Sequence, residues 1–183
     1  MEHKLILVKN FLPKEEYQNI YDIVTSIDFN WNIEDYNNPK IKLNPNSKQG
    51  EYHFVHMIIN YELKDKSETG LYILNTLANN IVKYFKKPIN VARARVNLFT
   101  NQHKQMPLSY HKDISDKGWW TMLYYLENSN GYTQFYKTEE KVKSVANSAL
   151  FFRADIKHRT LLHTDVPLRR NININFEMEE KWQ

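Results

Sequence analysis

The chain has 183 residues and no cysteine, long enough to bury about 70% of its unfolded surface in one core, and thiolate ligands, thiol nucleophiles and a disulfide scaffold are excluded. Its formal charge of +4 and pI near 9.0 are mild, and its densest lysine runs, KYFKK and KTEEKVK, read as solvated faces rather than as a basic stripe for nucleic acid. MEHKLILVKNFLPKEEY meets charge and proline too early for a signal peptide or a membrane span, so a cytoplasmic protein with no membrane partner is expected.

In chain order, residues 13–27 start at Pro13 and set Tyr17, Ile20, Tyr21, Val24 and Ile27 at helical spacing. Residues 70–86 do the same with Leu74, Leu77, Ala78, Ile81, Val82 and Phe85. Both stripes suit helices packed on a sheet. Between them, 29–67 is rich in Asn, Lys and Pro, with weak alternation in YHFVHMIINYEL. One strand reached by a long loop is expected there, and long loops commonly serve as lids.

From residue 89 onward short strands dominate. In VARARVNLF, Arg93, Arg95 and Asn97 fall on one face and Ala92, Ala94, Val96 and Leu98 on the other. RRNININFE repeats the pattern: Arg169 shares a face with Asn171, Asn173 and Asn175, while Arg170 shares one with Ile172, Ile174 and Phe176. Two such strands suit a barrel with a polar lumen and an apolar outside covered by helices. Arg169 and Asn97 then point inward. Glycines only at 50, 70, 118 and 131 leave no P-loop, dinucleotide fingerprint or nucleophile elbow.

The chemistry is concentrated in SYHKDIS, FFRADIKHRT and VPLRRNININF. His111 and Asp113 are followed about 45 residues later by His158, and Arg169 comes after ten more. Two histidines and a carboxylate form a facial triad that leaves three octahedral positions of Fe(II) open, and a guanidinium clamps a carboxylate in bidentate fashion. A second H-x-D, His163-Thr164-Asp165, has no histidine downstream and sits just before Pro167. It is read as loop. His158 opens a strand after the buried run Ala149-Leu150-Phe151-Phe152 and is preferred over His163 as the distal ligand.

In this order of motifs, from Val91 to Phe176, the chain resembles the Fe(II)/2-oxoglutarate-dependent dioxygenases, in particular their prolyl-4-hydroxylase-like branch with its small phage-borne members. WWTMLYYLENSNGYTQFY has the look of that family's aromatic strand leading into a glycine turn, with the usual double glycine reduced to Asn130-Gly131. The resemblance implies a mainly β, α+β fold: a double-stranded β-helix over 89–183, with supporting helices and a long loop region over 1–88, in a single domain 1–183. It implies His111, Asp113 and His158 as iron ligands, and Arg169, Asn171, Asn97 and Tyr124 around 2-oxoglutarate. Tyr124 is expected to reach the distal carboxylate, with Tyr125 pointing the other way. Cofactors are then Fe(II), 2-oxoglutarate and O2, and the reaction a C–H hydroxylation that releases succinate and CO2. A peptide or protein substrate, prolyl first, or a small molecule is implied. Trp119 and Trp120 are candidates for lining the substrate groove, Trp120 more as core. A nucleic-acid demethylase on the same fold and a non-catalytic cupin-like binding protein are the alternatives, nucleic acid being disfavoured by the scattered lysines. Nothing in the sequence speaks to oligomeric state.

Overall fold

Strict polar/apolar alternation and two amphipathic helices produce two packed β-sheets with helices on the outside. The computed structural model describes residues 4–35 and 52–178. In chain order these form β1 (Ile6–Lys9), α1 (Lys14–Thr25), β2 (Asn32–Asp35), β3 (Tyr52–Asn60), β4 (Glu62–Leu63) and α2 (Glu68–Phe85). There follow β5 (Ile89–Thr100), β6 (Trp119–Tyr125), β7 (Tyr132–Phe135), β8 (Lys141–Lys143), β9 (Ser148–Arg153), β10 (His158–Leu161) and β11 (Leu168–Met178).

The main sheet runs β1-β9-β6-β11-β5-β3-β2, with β4 paired to β3, and a smaller sheet runs β10-β7-β8. Every pairing is antiparallel. The two sheets are joined by a buried cluster of Leu123, Tyr125, Leu150 and Phe152 with Phe135 and Val142. This is the jelly-roll arrangement of a double-stranded β-helix.

The outer face of the main sheet carries the larger core. Ala94, Val96, Met122, Tyr124, Phe151, Ile172, Ile174 and Phe176 pack against Ile20 and Val24 of α1 and Ile73, Leu77 and Ile81 of α2. The helices therefore cover the barrel as expected. Ser67 caps α2, its hydroxyl accepting from Gly70 N–H at 3.1 Å, and Lys86 ends it in a left-handed conformation, φ 55°. Pro13 stands at the N-cap of α1 rather than in its first turn. Ile27 departs from the expected stripe: α1 ends at Thr25, and Ile27 is 98% exposed.

The region 1–88 supplies more strand than its sequence suggests. β1 pairs with β9, and β2 and β4 flank β3, so this region both supports and extends the main sheet. The remainder of the presumed loop, 36–51, lies outside the described residues, and so does the question of a lid there. Among the described residues, no helix is long and apolar enough to cross a membrane.

Candidate active site

The three candidate metal ligands reach one point from two different strand systems. His158 is the first residue of β10, and His111 lies in the loop after β5. The two are locked by reciprocal backbone hydrogen bonds, His111 N to His158 O and His158 N to His111 O, both 2.9 Å. Asp113 follows on the same loop, its N–H donating to Ala154 O at 3.1 Å. One ligand atom from each of His111, Asp113 and His158 lies within 4.8 Å of the others. His111 Nε2 is 3.9 Å from Asp113 Oδ1, and His158 Nε2 is 3.8 Å from Asp113 Oδ2.

The surroundings fix the orientation of each ligand. His158 Nδ1 sits 2.9 Å from Ile156 O and His111 Nδ1 3.3 Å from Ser109 O. Each carbonyl holds the proton on Nδ1 and turns Nε2 toward the shared point. Asp113 accepts from Arg93 Nη2 at 2.9 Å, Thr121 Oγ1 at 2.8 Å and Asn173 Nδ2 at 3.2 and 3.3 Å. Its burial favours the neutral acid, but His158, Arg93, His111 and Arg95 together outweigh that and hold its pKa well below the usual carboxylate range. Burial, and then the charge of His158, lower His111 to about 4. An ionised carboxylate and a neutral imidazole are the protonation states that a metal demands.

Behind the triad runs a polar corridor. Asn97 and Asn171 are both buried and bonded to each other, Nδ2 to Oδ1, at 2.8 Å. Asn175 bonds Thr121 at 2.9 Å and Arg93 Nε donates to Asn175 Oδ1 at 2.8 Å. Arg169 closes the corridor at 0% exposure, its Nη1 donating to Leu161 O at 3.3 Å and its guanidinium lying 5.8 Å from the Phe99 ring and 5.9 Å from that of Tyr125. Four residues of strand, about 13 Å, separate Arg169 from Asn173 beside the carboxylate ligand. Arg170 faces the opposite way and pairs with Glu127 through both its backbone N–H and its Nη1. Gly131 gives the guanidinium its room, since a Cβ there would stand 2.8 Å from Arg169 Nη1 and displace it.

Tyr124 is not in the corridor. It stands opposite Ile172 in the β6–β11 ladder, directly opposite residues share a face, and that face is the helix-covered core. Its hydroxyl donates to Asn147 Oδ1 at 2.9 Å. Tyr125, opposite Asn171, takes the inward place and bonds Thr133 at 2.8 Å. The expected orientations of the two tyrosines are therefore exchanged. His163 also departs from expectation: it is fully buried, and burial followed by the charge of Arg169 lowers its pKa. It nevertheless lies outside the converging set. Its neighbours Thr164 and Asp165 clasp Asn130, each accepting from it at 2.8 Å.

Sequence reasoning missed His53 and the supporting role of Thr121 and Asn173. His53 is stacked on Phe99, with centroids 5.2 Å apart, and buried. Burial first, and Arg95 next, lower its pKa to about 3. Together with Arg95, Asn97, Thr160 and the two candidate ligand histidines it lines a narrow cavity of about 20 Å³. Register carries the missing signal, since His53 sits beside Phe54, which pairs with Leu98, and so shares the inward face with Phe99.

No family model matches the sequence, and no curated protein matches it either. Solved structures do. An oxidoreductase of the 2OG-Fe(II) oxygenase family from Burkholderia pseudomallei is similar over 94% of this chain and 84% of its own, with TM-score 0.69 and 9% identity. A prolyl hydroxylase from Trichoplax adhaerens, solved with a hypoxia inducible factor peptide fragment, covers 94% and 83%, with TM-score 0.67 and 15% identity. The epimerase SnoN from nogalamycin biosynthesis, solved with Fe3+, alpha ketoglutarate and nogalamycin RO, covers 96% and 79%, with TM-score 0.67 and 12% identity. At these identities the likeness establishes the fold, that of the 2OG-Fe(II) oxygenases.

Proposed function

We propose that the protein is an Fe(II)- and 2-oxoglutarate-dependent oxygenase that hydroxylates a C–H bond of a peptidyl side chain, prolyl in the first instance, or of a small molecule. The observation that carries the reading is the convergence of His111, Asp113 and His158 within 4.8 Å at one end of a polar corridor that ends on a buried arginine. The donor set fits iron: two imidazole nitrogens and one carboxylate oxygen on one face. The corridor fits a dicarboxylic acid, with Arg169 as counter-charge for its far carboxylate and Asn97 and Asn171 as polar walls. Bound iron and 2-oxoglutarate supply the oxidising power, yielding succinate and CO2 beside the hydroxylated product.

The chain's own contribution is positioning and exclusion of water. Ser109 and Ile156 carbonyls orient the imidazoles, while Arg93, Thr121 and Asn173 hold the Asp113 carboxylate. Phe99, Leu123 and Tyr125 wall the corridor, so charge interactions inside it are weakly screened. The cavity of about 20 Å³ among these side chains has the size of a single water. The peptide fragment bound to the similar Trichoplax prolyl hydroxylase favours a peptidyl acceptor.

The test is succinate production by purified protein supplied with Fe(II), O2 and 2-oxoglutarate, screened against prolyl peptides, free amino acids and methylated oligonucleotides. Turnover that is lost in Asp113→Ala supports the reading. Succinate no higher than in that variant leaves a binding protein, and oxidation of the oligonucleotides alone leaves a demethylase.

A further inference from the structure

We propose that a basic groove beside the ligand loops is a docking site for an acidic, partly apolar stretch of a peptide substrate. The inference rests on the oxygenase reading for its meaning, but it is carried by a different part of the surface. The groove holds about 690 Å³, within the range of ligand pockets. Lys4, Lys112, Lys117, Lys137, Arg153 and Lys157 line it, against Asp155 as the one acid. That is a surplus of five positive charges in one place, more than the +4 of the entire chain. Lysines scattered in sequence are thus gathered by the fold.

Its location ties it to the metal site. Lys112 stands between His111 and Asp113 in the chain. Lys157 immediately precedes His158, and the carbonyl of Ile156, another lining residue, orients the His158 ring at 2.9 Å. A chain lying in the groove therefore passes within a residue or two of all three candidate ligands, yet touches none of them. The floor is apolar: Ile156, the half-buried Trp120, whose ring packs 5.9 Å from Phe85, and Tyr136, 54% exposed. Tyr136 carries the Lys157 ammonium 4.9 Å above its ring and meets Tyr110 edge-on at 5.0 Å. Arg159 over Tyr110 at 4.2 Å extends the cationic-aromatic surface beyond the groove.

Charge complementarity calls for an anionic partner, and the details favour carboxylates over phosphodiesters. Five of the six cations are lysines, compact hydrated charges on flexible stems that meet a carboxylate without a fixed fork. A single strand of nucleic acid needs successive stacking platforms along an open basic track. Here one well-exposed ring lies in a bounded pocket. Acidic side chains at the rim with an apolar side chain on the Trp120–Tyr136 floor match both features.

The test uses fluorescence anisotropy with a short labelled peptide that alternates Glu with Leu and Pro, its Lys-for-Glu counterpart, and an oligo-dT strand, on the whole protein. The acidic peptide is expected to bind, to weaken as salt is raised, and to lose affinity on the order of tenfold in the double variant K117E/K137E. Lys117 stands four residues beyond Asp113 on the same loop and Lys137 in the turn after β7, and neither is a candidate ligand or part of the corridor, so 2-oxoglutarate turnover without peptide is expected unchanged in that variant, which also serves as the folding control. Tighter binding of oligo-dT, binding indifferent to charge reversal, or no binding at all overturns the proposal. The two readings fail separately: Asp113→Ala protein keeps the peptide if the groove docks it, whatever becomes of succinate production. Succinate formation without peptide binding sinks the groove alone.

Discussion

The two faces of β5, β6 and β11 are both largely dry and chemically opposite. On the helix side, Val96, Met122, Tyr124, Ile172, Ile174 and Phe176 are buried against α1 and α2, and burial itself stabilises them at about 25 cal/mol per Å² of apolar surface. On the lumen side, Asn97, Thr121, Asn171, Asn173 and Asn175 are also buried, where desolvation costs free energy that only hydrogen bonds offset. Asn97 bonds Asn171, Asn175 bonds Thr121, and Asn173 bonds Asp113. One face holds the fold together, and the other is held in place by it. A row of buried asparagines has no stabilising advantage over isoleucine, and its presence marks a surface kept polar for a ligand.

That contrast is broken most completely at the triad. His158→Ala is expected to abolish Fe(II) binding and turnover, since two ligands cannot keep the facial geometry, while His163→Ala keeps iron binding because His163 lies outside the cluster. Metal titration of both variants checks this, and the reverse outcome would reassign the distal ligand. Next in size is the arginine pair. Arg169→Lys keeps the charge but loses the fork, which should weaken 2-oxoglutarate by roughly ten- to a hundred-fold. Arg170→Lys, on the Glu127 side, should leave co-substrate affinity alone.

Protonation sharpens the comparison further. His53 is neutral in the fold, with its pKa lowered to about 3, against about 6.5 in the unfolded chain. Between those values the unfolded state binds the extra proton, so stability is complete above about pH 6.5 and falls as pH drops. At pH 5 the loss from this residue is about 2 kcal/mol, or roughly 4–8 °C in Tm. His53→Gln should flatten the Tm profile between pH 7 and 5 by that amount, and an unchanged slope would count against a buried neutral imidazole. Smallest is the tyrosine exchange. Tyr124→Phe should cost about 1 kcal/mol of stability through its bond to Asn147 with no change in 2-oxoglutarate affinity. Tyr125→Phe should be the variant that shifts that affinity, as read by titration.

The sequence disclosed the face assignments of β5 and β11 because strict period-two alternation with arginine and asparagine on one side has one sensible folding. The order of His111, Asp113 and His158 likewise singled out three residues that the fold brings together. Tyr124 was misplaced for a physical reason: Met122 to Leu126 are apolar or aromatic without a break, so they show no alternation of their own. Phase comes from the partner strand, and aligning Tyr125 with Asn171 requires the register. His53 was hidden in a weakly alternating segment whose neighbour in space, Phe99, is far away in sequence. The basic groove was illegible because it assembles single lysines from the segment before β1, two loops and the turn after β9.

The mutual hydrogen bonds between His111 and His158 pair two residues about 45 positions apart, outside the longer ladders, at the lip where the smaller sheet ends. An ion gripped by both rings acts there as a staple across a long loop, removing conformational freedom from the opened state. Iron occupancy and closure of the lip would then be one equilibrium, so iron should raise the melting temperature with the logarithm of its concentration relative to its dissociation constant. The same grip should slow hydrogen exchange at two amides in particular, those of the histidines themselves.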